Sequence, residues 1–540
     1  MNGFHTIDYI VFGTYAVIIV AVGLWVSRTK KGTEKTTEDY FLAGKSLPWW
    51  AIGASLIAAN ISAEQVIGMS GSGFVVGLAI ASYEWMAALT LIIVAKYFLP
   101  VFIKQGLYTI PEFVEKRFNT SLKTILAVFW IALFVLVNLT SVLFLGAKAL
   151  DTILGQGNGD SIGWFIVGLA LFAAAYSLWG GLSAVAWTDV IQVVLLVIGG
   201  LITTLIALNH VAPHGGVGNG LEHIYDVAGD KFHMILKRDN PQFSNLPGIA
   251  VLIGGMWIAN LYYWGFNQYI IQRALAAKSL REAQRGLAFA SFLKLIVPLI
   301  VVIPGIVAFV MFSENIRDAG SVFSVAPGAN NDHAYPWLIG QFVPTGLKGL
   351  VVAALAAAIV SSLASMLNST ATIFTMDIYK PYLTKNPSDK QLVTVGRITV
   401  LVALIIAGFL APTMNSFPQM FQYIQEYTGV VSPGILAVFL MGLFWKKTST
   451  QGAIAGVLAS IPVALVLKFL PIDMPFLDQM LYTCLITVVI IMGVSLGTGK
   501  NDDSEKSIPL DKETFVTGKA FNIAAYAVLI ILAVLYTVFW

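Results

Sequence analysis

Pro48–Gly73 constrains this chain more than any other stretch, because it is an apolar segment of membrane length with polar groups at its centre. Trp49, Trp50 and a run of Ala and Ile lead in. Asn60, Ser62, Glu64 and Gln65 then arrive where a bilayer is driest, and Gly68, Gly71 and Gly73 follow. Hydrocarbon supplies no water to free backbone groups or polar side chains, so such a segment is stable only against a protein-lined cavity. A purely structural helix would carry leucine at these positions. The pattern points to a path for a substrate or an ion.

Composition agrees with a membrane setting: of 540 residues, 57% are hydrophobic and 11% are charged, where soluble proteins carry about a quarter charged. Runs long enough to span a bilayer fall near 9–27, 48–71, 78–103, 121–147, 162–178, 184–208, 248–266 and 283–313, and again near 346–378, 392–412, 419–445, 450–470, 474–496 and 520–539. The expected fold class is therefore an all-α integral membrane protein with about 14 transmembrane helices, of which 48–71 and 248–266 are irregular. Lys and Arg concentrate on the loops that face inward if the N-terminus is outside, so both termini are expected outside. The first run is followed by Arg28, Lys30, Lys31 and Lys35 and reads as a retained helix, not a cleaved leader.

A net charge of +3 without a free-standing basic run gives no reason to expect nucleic acid as a partner, and a single cysteine, Cys484, rules out an internal disulfide. The outward loop near 209–247 carries His210, His214, His223 and His233 without tight ligand spacing and reads as a solvated loop. Gly497–Lys519, with Asp502, Asp503 and Glu505 among lysines, reads as a polar linker.

A second interrupted span, Ile249–Phe266, contains Gly254-Gly255, then Asn260, then Tyr262, Tyr263 and Trp264. Two glycine-interrupted, polar-centred spans separated by four ordinary ones are the sign of an inverted repeat. Five helices per copy is an odd number, so the second copy enters the membrane upside down. Broken helices then meet near the midplane and leave carbonyls free for ions.

Glu84 lies about 9 Å below the outer end of its span and Lys294 about 16 Å from the inner end of its own. Ionisable groups at such depth mark function by default, although a structural ion pair between helices is the competing reading. One carboxylate, one ammonium and the amides of Asn60, Gln65, Asn260 and Gln425 suit a neutral polyhydroxyl molecule. Tyr262, Tyr263 and Trp264 offer flat faces for a sugar ring. Lys96 is near enough to the inner surface to snorkel and receives no role.

Ser361-Ser362 sit deep in an alanine-rich span, where serines often bond back to their own helix or permit close packing. Together with the free carbonyls of a broken helix, they would also supply the neutral oxygens a sodium ion needs. Asp189 stands near the inner end of its span, placed either to attract a departing cation or to cap the helix start with Thr188. Glu64 and Glu426 each neighbour a favoured glutamine. Successive helical residues point about 100° apart, so neither is assigned to the site.

The strings TEDYFLAGKSLPWWAIGASLIAANISAEQ, GMSGSG, IASYEWM, YTIPEFVEKRF, GGLSAVAWTDVIQ, WIANLYYWGFNQYIIQR, ALAAAIVSSLASMLNSTATIFTMDIYK and FQYIQEYTG cover much of the chain. They resemble the solute:sodium symporter family, and within it the bacterial sodium/galactose type. The resemblance implies one membrane transport domain over 1–540. Within it, 1–47 is an extra helix and inward loop, 48–208 a first repeat, 248–445 a second, inverted repeat, and 446–540 three extra helices. It further implies a sugar site of Gln65, Glu84, Asn260, Lys294 and Gln425, with Met69, Tyr83 and Phe421 closing it from outside. Tyr263, linked to Asn60, would close it from inside. Sodium would be held by the backbone carbonyls of Ala58, Ile61 and Ala358 and the hydroxyls of Ser361 and Ser362, with Asp189 on its inward exit path. One position departs from the galactose type, which has a serine where this chain has Ala87. A lost hydroxyl of this kind weakens binding by about 0.5–1.5 kcal/mol.

The function expected is sodium-coupled symport of a hexose, galactose or glucose, by alternating access across the plasma (bacterial inner) membrane. Its partners would be a small-molecule sugar, the co-transported sodium ion and the lipid bilayer, with no nucleic acid. The rival of the same fold is a sodium symporter of proline, sialic acid or myo-inositol. A passive sugar uniporter and a channel are rivals of other classes. An enzyme is not expected, since no His lies within an expected span and Cys484 has no obvious catalytic partner.

Overall fold

Backbone groups in hydrocarbon must satisfy one another, and this chain does so with helices. The computed structural model describes residues 4–26, 36–155, 159–326, 329–417, 420–470, 474–498 and 506–540. Among them there is no β-strand beyond an isolated bridge between Leu47 and Ala277. Eleven described helices are long and apolar enough to cross a membrane, and the bent pair Trp49–Asn60 and Glu64–Val75 makes a twelfth. The other two runs expected from sequence are shorter or more broken than a regular span. One forms the first part of the helix Ile162–Val211, and the other is cut into Ala250–Ile253, Gly255–Leu261 and Tyr262–Phe266. The basic residues Arg28, Lys30, Lys31 and Lys35 and the acidic Asp502, Asp503 and Glu505 lie outside the described residues.

Ile162–Val211 continues for 50 residues. Unbroken, it would be about 75 Å long, more than twice the thickness of the hydrocarbon core. It breaks at Gly181, with φ 60° and ψ −157°, where an added Cβ would lie 2.4 Å from the carbonyl oxygen of Tyr40. Only glycine takes that conformation at that distance.

Leu347–Leu383 lies deepest. Its most apolar window is 94% buried, against 17% for the first helix and for Lys519–Val538, which face outward. It packs along Ile162–Val211, while Leu280–Ser313 crosses both halves of the first broken span. That crossing is backbone-close: a Cβ on Gly305 would lie 2.1 Å from the Ser70 carbonyl oxygen, and one on Gly73 would lie 2.7 Å from that of Val302. Small residues permit such approach in membranes. The Asp8 carboxylate accepts the N–H groups of Gly346 and Gly349 at 2.7 and 2.8 Å, where the helix Leu347–Ile373 begins.

The loop expected to be merely solvated is instead partly folded. Gly220, Ile224 and Ala228 recur every four residues and are buried, so Val217–Ala228 forms an amphipathic helix with one face on the protein. His223 Nε2 stands 3.0 Å from Glu314 Oε2. Among the described residues no group of three or more His, Cys, Asp or Glu side chains is arranged to hold a metal ion.

Candidate substrate and ion site

Both interrupted spans break where their polar residues begin. Trp49–Asn60 stops at Ile61, whose ψ of 89° leaves the helical region, and the chain resumes as a π-helix over Glu64–Met69 with a bend of 62°. The second span ends in a π-helix over Tyr262–Phe266, turns at the extended Asn267, and resumes as Gln268–Leu275. Turns of this kind are rare and concentrate at functional sites. A helix end also leaves its last carbonyls without intrahelical partners.

The breaks open onto one cavity of ≈ 50 Å³. Its lining includes Gln65, Glu84, Asn260, Lys294 and Gln425, together with Asn60, Met69, Tyr83, Tyr263 and Phe421. Five separate segments deliver these side chains. Lys294, 1% exposed, donates to the Glu84 carboxylate and to Asn60 Oδ1, and its Nζ lies 5.0 Å from the centre of the Trp264 ring. Removing both charges from water is costly, and these added partners offset part of that penalty. The Tyr263 hydroxyl oxygen accepts from Asn60 Nδ2 at 2.9 Å and from the Tyr269 hydroxyl at 2.8 Å. Gln65 Oε1 accepts from the Ser62 hydroxyl at 3.2 Å, and Asn260 Nδ2 donates to the Met256 carbonyl at 3.1 Å. The rings of Tyr83 and Phe421 meet edge to face at 5.1 Å, and Met69 and Phe421 are buried.

Two readings from the sequence need correction here. Glu64 does line the cavity, and its Oε1 accepts from Gln425 Nε2 at 3.2 Å. The 100° rule excluded it, but residues 64–69 are π-helical, and the wider turn splays neighbours less. Tyr262, expected among the aromatic faces, is fully buried and absent from the lining. Glu426 lies apart from the cavity and pairs with Lys468 at 3.4 Å. Lys96 is partly exposed, with its Nζ 5.4 Å from the Tyr97 ring centre.

A second polar cluster lies beside the first break. Ser362 donates to the Ala59 carbonyl at 2.9 Å, joining the deepest helix to the last turn of Trp49–Asn60. Ala58, Ile61 and Ala358 are all buried, as are Ser361 and Ser362. The Ser361 hydroxyl donates to Asp189. Asp189 is fully buried, accepts from the Ser55 hydroxyl at 2.5 Å, and pairs with Arg273 at 3.2 Å. It is no helix cap, because its helix breaks eight residues earlier at Gly181 and Thr188 bonds back to Ala184 and Val185. Arg273 escaped the sequence reading, since a basic residue at an expected inner helix end reads as a loop charge. The helix Gln268–Leu275 instead turns under the core with every residue buried.

Interrupted spans meeting at a small cavity lined by charged, amide and aromatic side chains, inside an all-helical membrane protein, fit a carrier for a small solute. The chain belongs to the sodium:solute symporter family, whose family model matches residues 40–460. It is 64% identical to a sodium/glucose cotransporter of Vibrio parahaemolyticus, over 100% of this chain and 99% of that one. It is 35% identical to the human sodium/myo-inositol cotransporter 2, over 88% of this chain and 72% of the relative. Among solved structures, a substrate-bound, outward-open Na⁺-coupled sialic acid symporter superposes with a TM-score of 0.78 at 25% identity, covering 91% of this chain and 98% of that one. A nucleobase-cation-symport-1 family transporter shares the fold at a TM-score of 0.52 and 15% identity, over 87% of this chain and 99% of that one.

Proposed function

We propose that this protein is a sodium-coupled symporter of a hexose, galactose or glucose, working by alternating access in the plasma (bacterial inner) membrane with both termini outside. The observation that carries this reading is Lys294 held between Glu84 and Asn60 on a cavity where amides, aromatic rings and the Glu64 carboxylate also face inward. A sugar hydroxyl both donates and accepts, so it can replace either partner of Lys294, whereas an anionic substrate would need an unpaired cation. The similarity to a Vibrio sodium/glucose cotransporter supports the same choice. A myo-inositol-type substrate is the second reading, supported by the 35% identity to the human sodium/myo-inositol cotransporter 2.

In this scheme Gln65, Glu84, Asn260, Lys294 and Gln425 bind the sugar. Met69, Tyr83 and Phe421 close the outer side, and Tyr263 with Asn60 closes the inner side. The carbonyls of Ala58, Ile61 and Ala358 and the hydroxyls of Ser361 and Ser362 hold sodium, and Asp189 lies on its way out. Sodium bridging the spans of Ala58 and Ser361 stabilises the outward-open form, sugar then permits outer closure, and ion release loosens Tyr263. A cavity of ≈ 50 Å³ is small beside the roughly 300–1,000 Å³ typical of ligand pockets, so admitting a hexose widens it. The scheme uses fourteen spans: inverted repeats over 48–208 and 248–445, with extra helices in 1–47 and 446–540.

Labelled galactose uptake into proteoliposomes tests the reading, with an inward sodium gradient and with potassium in its place. Concentrative uptake with sodium alone is the expected result. Equal, non-concentrative uptake in both would mean a uniporter and remove the sodium role of Ser361 and Ser362.

A further inference from the structure

Two sets of hydrogen bonds, joined through the covalent frame of Tyr269, connect the cavity to Asp189. Lys294 donates to Asn60 Oδ1, and Asn60 Nδ2 donates to the Tyr263 hydroxyl at 2.9 Å. The Tyr269 hydroxyl donates to the same oxygen at 2.8 Å. One turn on, Arg273 donates through one terminal nitrogen to the Tyr269 carbonyl and through the other to Asp189, 3.2 Å away. The Ser361 hydroxyl completes the path on the other Asp189 oxygen. Tyr269, Arg273, Asp189 and Ser361 are fully buried, so water does not short-circuit these bonds.

Arg273 holds more than Asp189. Its Nε donates to the Ser55 carbonyl at 3.1 Å and the Ser55 hydroxyl at 2.7 Å, and a terminal nitrogen donates to Ser365. Ser55 lies about one turn before Ala58 and nearly two before Ile61, and Ser365 lies one turn after Ser361. One planar guanidinium therefore grips both helices that carry the sodium-binding oxygens proposed above. Its rigid fork of donors fixes their relative placement in a way a lysine ammonium cannot. Tyr269 and Arg273 share a face of the same short helix at i and i+4, so displacing one moves the other.

We infer that Tyr269 and Arg273 are positioning residues that couple occupancy of the sugar cavity to affinity at the sodium site. The inference rests on the sodium–sugar symport proposed above. A sugar that takes Lys294 from Asn60 alters the bond between Asn60 and Tyr263. Tyr269 passes that change to the guanidinium, and the guanidinium shifts the two helices around the ion. By linkage, sodium must change sugar affinity by the same factor.

The test is equilibrium binding of radiolabelled sodium to the purified full-length protein in nanodiscs, with and without saturating galactose. In the wild type, galactose is expected to tighten sodium by a factor within the usual coupling range of about 5–150. Tyr269→Phe removes one hydroxyl and keeps the ring, which packs edge to face on Phe134 at 5.3 Å. In that variant sodium affinity without sugar is expected within about twofold of the wild type, while the galactose-dependent factor collapses toward one. Arg273→Lys retains a charge opposite Asp189 but loses the fork, and is expected to lose the factor as well. Variants that weaken both ligands while keeping the wild-type factor would show a merely structural role and overturn the inference. A wild type without any galactose-dependent factor would instead overturn the symport reading, and the inference with it.

Discussion

Lys294 and Glu84 illustrate how a buried charge is tolerated only in company. Lys294→Met leaves the Glu84 carboxylate without its cation and is expected to lower stability by about 3–5 kcal/mol. Adding Glu84→Gln should recover much of that loss while leaving sugar uptake absent, and thermal melting beside uptake separates the two effects. No recovery in the double variant would mean that the pair's partners, not its charges, set the cost. At the neighbouring cluster, Ser362→Ala removes a hydroxyl worth about 0.5–1.5 kcal/mol, so half-maximal uptake should need about 2- to 12-fold more sodium. An unchanged sodium dependence removes Ser362 from the ion site. Single residues were also where sequence reading reached its limit. Glu84 and Lys294 stood out because charge is rare at that depth, whereas Glu64 hid behind a helical geometry its segment does not adopt. Arg273 hid among the basic residues expected at inner helix ends.

The interrupted elements were legible as interruptions, because clustered polar side chains and freed backbone groups are costly against lipid. Their form was not: neither the π-helical turns nor the return of Gln268–Leu275 beneath the core follows from periodicity, since tertiary packing decides both. A segment between two spans also braces a residue next to the cavity wall. Asp332, in the segment between Leu280–Ser313 and Leu347–Ile373, accepts the backbone N–H of Met420 at 3.3 Å, next to Phe421. Burial pushes its carboxyl up to about 6 from 3.8, against the pull of Lys148 and of the Met420 N–H. A raised folded-state value favours the protonated form. The stability it contributes is complete below the ordinary value and is lost as pH rises through about 6. The melting temperature should therefore gain more between pH 7 and pH 5 in the wild type than in Asp332→Asn, and equal slopes would count against this account.

Across the whole molecule, burial grades from the deepest helix, Leu347–Leu383, outward to the first helix and Lys519–Val538. That gradient was only partly legible, because alanine-rich and leucine-rich spans are similarly apolar and only the small side chains of Leu347–Ile373 hint at tight neighbours. An ion that joins the deepest helix to the first broken span acts on the entire fold. Sodium at about 100 times its dissociation constant should stabilise the protein by about 2.7 kcal/mol, seen as a higher melting temperature than in potassium at equal ionic strength. Identical melting in the two salts would deny sodium that bridging place.

The buried ion pairs have an electrical consequence. Lys294 with Glu84, and Arg273 with Asp189, are each neutral as units. Each sodium ion crossing with an uncharged hexose therefore carries a charge that neither pair cancels. Moving one such charge through the membrane field is worth about 2.3 kcal/mol per 100 mV. In a cell whose interior is negative, voltage alone pulls the loaded carrier inward, and sugar accumulates even where sodium is equal on the two sides.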